Sequence, residues 1–122
     1  MNIRTDALKW LKRNFPTALA SEIRSSKHYV EGELWFLTLP TEFITGKRSG
    51  ALELVLQQPK SSDDFLLLRI PYTFLAERAS EFDIRADGQS FDLHISSKPS
   101  SWLRDLRGRG TSFASFVVEA KD

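Results

Sequence analysis

Residues 33–44 read ELWFLTLPTEFI, and residues 64–75 read DFLLLRIPYTFL. Laid over one another at an offset of 31, nine of the twelve positions share residue class, and Leu37/Leu68, Pro40/Pro71 and Phe43/Phe74 are identical. Downstream, LELVL (52–56) lies over FDLHI (91–95) at an offset of 39, in the same order with eight residues inserted. Two matched blocks in one order point to a duplicated unit. In each copy an apolar strand stops at a proline, which lacks the N–H a ladder needs. An aromatic three residues later packs a helical turn back onto the sheet, and a second strand follows. Two copies are too few for a solenoid, so the expectation is that both units join one sheet.

Working outward, Leu34–Leu39 and Phe65–Ile70 are apolar on both faces and belong at the centre of a sheet covered on both sides. Leu52–Leu56 alternates as a half-buried strand, and 72–81 suits a short helix with Phe74, Leu75 and Ala79 inward. His28–Val30 pairs with the strand after Glu31-Gly32, with Gly32 at the position needing positive φ. Asp87-Gly88 sits between two alternating runs and specifies a type I′ hairpin.

At the N-terminus, Thr5 is placed to cap a helix, Asp6 favours its first turn, and Leu8, Leu11 and Phe15 recur on one face. Lys9, Lys12 and Arg13 line the opposite side. Pro16 opens a second helix over roughly 16–26, with Leu19 and Ile23 inward and Arg24 and Lys27 outward. The expected fold is therefore one α+β domain spanning 1–122. Two N-terminal helices (4–26) pack on an antiparallel or mixed sheet of five or six strands (27–98). An arginine loop and closing segment (99–122) follow. In that segment Ser101–Leu106 reads as a capped helical turn, while Thr111–Val118 fits either a helix or an edge strand.

The chain has 122 residues, 41% hydrophobic and 27% charged, enough for one core. It has no Cys, which excludes disulfides, thiol catalysis and Cys-bound zinc. No apolar run reaches the ~20 residues of a membrane span, and the N-terminus carries Arg4 and Asp6 instead of a signal peptide's apolar core. A cytoplasmic location without membrane partners is expected. Residues 1–48 hold eight basic and five acidic groups, 49–96 four and eight, and 97–122 five and three. Basic ends around an acidic middle suit a face that meets phosphate.

Three groupings bear on chemistry. In the 87–88 hairpin, Asp83 faces Asp92, with Arg85 and His94 on the same wet side. Two carboxylates across a ladder repel unless a divalent ion, a shared proton or Arg85 compensates. Asp83, Asp92 and His94 are thus the weak catalytic and metal candidates for a phosphodiesterase- or nuclease-like alternative, with Glu53 as a further carboxylate. Metal-dependent nucleases also need an acidic-x-Lys triplet, and neither Glu53-Leu54-Val55 nor Asp92-Leu93-His94 supplies the lysine. The third grouping is Arg104, Arg107 and Arg109, loosened by Gly108 and Gly110 with Trp102 nearby, set to hold phosphates or stack on a base. With Lys9, Lys12 and Arg13 it would make one basic patch. There is no glycine-rich phosphate loop, G-x-S-x-G or H-E-x-x-H motif. The reading is a non-enzymatic binding domain needing no cofactor, with nucleic acid favoured as partner. A protein-interaction or immunity-type module, using the acidic middle against a basic partner, is the other alternative.

Overall fold

A computed structural model describes residues 3–15, 23–29, 31–58 and 64–118. Its elements are helix α1 (Ile3–Asn14), strands β1 (Ile23–Ser26), β2 (His28–Tyr29), β3 (Leu34–Pro40), β4 (Ala51–Gln57) and β5 (Phe65–Pro71), helix α2 (Tyr72–Glu77), then β6 (Asp83–Ile84), β7 (Ser90–Ser96) and β8 (Val117–Val118). The strands form two four-stranded sheets, ordered β1-β4-β5-β8 and β2-β3-β7-β6. Two helices on one sheet of five or six strands is therefore corrected to one 12-residue helix, a six-residue helix and two sheets.

Period-two alternation places the inner faces of the two sheets against each other. Leu52, Leu54, Leu56, Leu68 and Ile70 of the first sheet meet Trp35, Leu37, Leu39, Phe91, Leu93 and Ile95 of the second in one buried cluster. The outer face of the first sheet offers Val55, Phe65 and Leu67 to Ala7, Trp10 and Leu11 of α1. The layers are thus helix, sheet, sheet. The strand 52–56, expected half-buried, is buried on both faces because α1 covers its outer side.

The duplicated unit accounts for this arrangement. Pro40 and Pro71 end β3 and β5 in near-identical extended backbone (φ −64°, ψ 142° and φ −59°, ψ 138°), and a helical turn begins at the next residue in each. The turn at Thr41–Ile44 carries the chain from the second sheet to the first, and α2 starts the return. The two turns pack together, with the Phe43 and Tyr72 ring centroids 5.4 Å apart. Shifting β3 by 31 and β7 by −39 turns the observed pair Leu37↔Leu93 into Leu68↔Leu54, which is also observed. Every pair of the β3–β7 ladder maps this way onto the β4–β5 ladder. The closing hydrogen bonds match as well: Thr41 N–H to Gln89 O and Tyr72 N–H to Gly50 O, both 3.0 Å. The copies are related by a pseudo-two-fold, and each contributes one central strand to each sheet.

Local expectations differ in four further places outside the 83–92 hairpin. The second helix is corrected: Ile23–Ser26 is a strand parallel to β4, and residues 16–22, with Pro16 and Leu19, lie outside the described residues. α1 starts at Ile3, so Thr5 sits inside it, and the buried stripe is Ala7, Trp10 and Leu11 instead of Leu8, Leu11 and Phe15. Before β3 the positive φ falls on Glu33 (51°), not on Gly32. Finally, Ser101–Leu106 is no helical turn. A 3-10 turn at Pro99–Ser101 leads through Leu103 (φ 58°) into extended backbone, where Asp105 bridges Ile95.

Candidate phosphate-binding cleft

The 83–92 hairpin holds the expected register, with Asp83↔Asp92 and Ile84↔Phe91. Its turn is not type I′, which needs positive φ at two residues. Arg85 C=O accepts the Gly88 N–H at 2.9 Å, and Gly88 alone (φ 71°) is left-handed. Phe82, Phe91 and Leu93 enter the core, whereas Ile84 is exposed.

On the outer side each carboxylate has its own arginine. Arg85 Nε donates to Asp92 Oδ1 at 3.0 Å, and Arg107 Nε donates to Asp83 Oδ2 at 2.7 Å. Thr38, opposite Asp92 on β3, adds an O–H donor at 2.8 Å. Burial pushes the Asp92 carboxyl up, but the Thr38 and Arg85 hydrogen bonds with the Arg85 and Arg107 charges together hold it below the usual range. The His94 ring stands edge-on to Phe36 at 4.8 Å, turned to an aromatic neighbour. Among the described residues no group of three or more His, Asp and Glu side chains is placed to hold a metal ion.

The arginine loop divides. Arg107 is spent on Asp83. Arg104 and Arg109 instead line an open cleft of about 390 Å³ with Arg78, Glu81, Thr111 and Ser115, and Phe74 lies beneath the Arg78 guanidinium at 4.8 Å. Neither Arg104 nor Arg109 has a carboxylate partner among the described residues, and Arg104 Nη1 donates to Gly110 O at 3.0 Å. Glu81 is engaged by the Thr111 hydroxyl at 2.7 Å and by Arg78 at 3.5 Å.

Asp105 shapes this loop. Fully buried, its carboxylate accepts backbone N–H bonds from His94 (3.0 Å), Arg107 (3.1 Å) and Gly108 (3.2 Å). Burial nonetheless pushes its carboxyl up, outweighing those donors and the His94 charge. Gly108 passes so close to the Glu81 carbonyl that a Cβ there has no room. The glycine serves close approach, and Arg109 N–H closes the seat on Glu81 O at 3.1 Å.

The other basic candidates stand apart. Lys9, Lys12 and Arg13 are exposed on α1, where Lys9 and Arg13 flank a separate depression with Asp6, Trp10 and Phe65. Trp102 packs edge-on against Trp35 at 5.8 Å and does not line the cleft. Arg78 and Glu81 escaped sequence reasoning because both lie just past a helix whose inward residues alone were legible. Asp105 lies in the segment that reads as a capped helical turn, and only the bridge to Ile95 reveals its burial. No helix among the described residues is long and apolar enough to cross a membrane. Comparison with protein-family models, curated proteins and solved structures finds no match for this chain.

Proposed function

We propose that this chain is a non-catalytic binding domain whose partner is nucleic acid, held through backbone phosphate in the cleft of Arg78, Arg104 and Arg109. The observation that carries the reading is that two arginines with no carboxylate partner among the described residues line one cleft with a third. Guanidinium forks pair with phosphate oxygens bidentately, and unspent ones need no existing ion pair broken first. Binding over catalysis is supported by the neutralisation of Asp83 and Asp92 and by the edge-on packing of His94 against Phe36. Recognition would ignore base sequence, because the aromatic lining the cleft, Phe74, is already engaged by Arg78 and Phe116.

The test is fluorescence anisotropy of a labelled single-stranded oligonucleotide over a salt series. Affinity is expected to fall as salt rises, and Arg104→Ala with Arg109→Ala should reduce the log–log slope by about 1.4, at about 0.7 per lost phosphate contact. Absence of binding at low salt, or an unchanged slope in the double variant, defeats the reading.

A further inference from the structure

Resting on that reading, we infer that the cleft seats a terminal phosphomonoester, the phosphorylated end of a strand, in preference to an internal phosphodiester. Charge matching comes first. Three guanidiniums less the Glu81 carboxylate leave two positive charges in one cleft. A phosphomonoester brings about −1.5 to −2 at neutral pH, whereas an internal diester brings a single negative charge.

Continuity comes second. A strand running through a groove needs successive phosphate contacts. Here the cations beside the loop are consumed, Arg107 by Asp83 and Arg85 by Asp92. Lys9 and Arg13 of α1 flank a different depression on the helix layer. Among the described residues the cleft is a point of positive charge, not a track. Third, the Ser115 hydroxyl lines it beside the arginines, adding a donor for an oxygen that only a terminal phosphate leaves unesterified.

The experiment compares one oligonucleotide sequence bearing a 5′-phosphate, a 3′-phosphate or hydroxyls at both ends, with a phosphoserine peptide as a fourth probe. A phosphorylated end is expected to bind about tenfold tighter than the hydroxyl form, the gain from about one net charged hydrogen bond. That preference should vanish in Arg104→Ala/Arg109→Ala, whose substituted side chains are solvent-facing. It should also shrink as pH falls below about 6, where the monoester loses its second charge and diesters do not change. The two phosphorylated arms show which end is read. Equal, salt-sensitive affinity for phosphorylated and hydroxyl forms overturns end recognition and leaves the nucleic-acid reading standing. Binding of none of the oligonucleotides overturns both. Tighter binding of the phosphopeptide than of either phosphorylated strand overturns the assignment to nucleic acid.

Discussion

The two sheets present equivalent outer faces and treat them differently. Phe65, Leu67 and Val55 of the first sheet correspond through the repeat to Leu34, Phe36 and His94 of the second. The first three are buried under α1, while Phe36 remains 36% exposed. The carboxylates correspond too: Glu53 matches Asp92, and its partner Arg69 matches Thr38. In the first sheet the neutralising cation comes from the adjacent strand, Arg69 Nε to Glu53 Oε1 at 2.8 Å. In the second sheet position 38 is a threonine, which donates a hydrogen bond but no charge. The charge arrives from Arg85 on the hairpin arm, in the connection that is eight residues longer in the second copy than in the first. A duplicated backbone therefore preserves register while the outer surface is free to diverge. The inserted arm that rescues Asp92 also carries Glu81 and Asp83, which position the arginine loop.

The strongest way to break this comparison is truncation at the matched apolar positions. Leu67→Ala empties a site with no exposure, under a helix, and should cost about 2–5 kcal/mol in urea unfolding. Phe36→Ala removes a ring that already meets solvent and should cost about 1 kcal/mol or less. Equal costs would mean that the outer face of the second sheet is covered in solution.

Next in size are the two arginines. Arg69→Ala leaves Glu53 buried with Oε2 already lacking a hydrogen-bond partner, while Asp92 in Arg85→Ala keeps the Thr38 hydroxyl. Both guanidiniums are about half exposed, so the costs stay well below those of a fully buried pair. We expect about 2 kcal/mol for Arg69→Ala and about 1 for Arg85→Ala. A reversed order, measured by the same unfolding curves, would show that Thr38 contributes nothing to holding Asp92.

The pseudo-symmetry also explains what was legible in the sequence. The offsets of 31 and 39 imply matched registers for both central ladders, and the Asp83↔Asp92 pairing follows from centring the hairpin on Asp87-Gly88. Periodicity reports which face a side chain takes, but not whether the next strand stays in the same sheet. The prolines that end β3 and β5 therefore read equally well as steps within one sheet or crossings between two. Ile23–Ser26 lacks any alternation, and its strand state comes from pairing with β4, a tertiary influence that local propensity does not register. The cleft was half legible. Arg104 and Arg109 stood out, while Arg78 joins them only through the docking of a loop on Glu81, some thirty residues away in the chain.

The finest comparison sets the two buried aspartates of the 83–108 region against each other, because their stability contributions run oppositely with pH. Asp92 is held below the ordinary carboxylate range, so its native state binds fewer protons than the unfolded chain near the ordinary value of 3.8. Its contribution is present above that pH and is lost as pH falls through the lowered value. Asp105 is pushed up by burial, so its native state binds more protons over the window above 3.8. Its contribution is present below 3.8 and is lost as pH rises through the raised value. Chemical denaturation of Asp92→Asn and Asp105→Asn across the acid range separates them. Relative to the parent, the Asp92→Asn profile should lose less stability on acidification, and the Asp105→Asn profile should lose less on the return toward neutrality. Only the slopes count, since Asp105→Asn also turns an amide toward three N–H donors and lowers stability at every pH. Parallel slopes in the two variants would mean that the backbone donors around Asp105 outweigh its burial, so that the loop carrying Arg109 rests on a stabilised carboxylate.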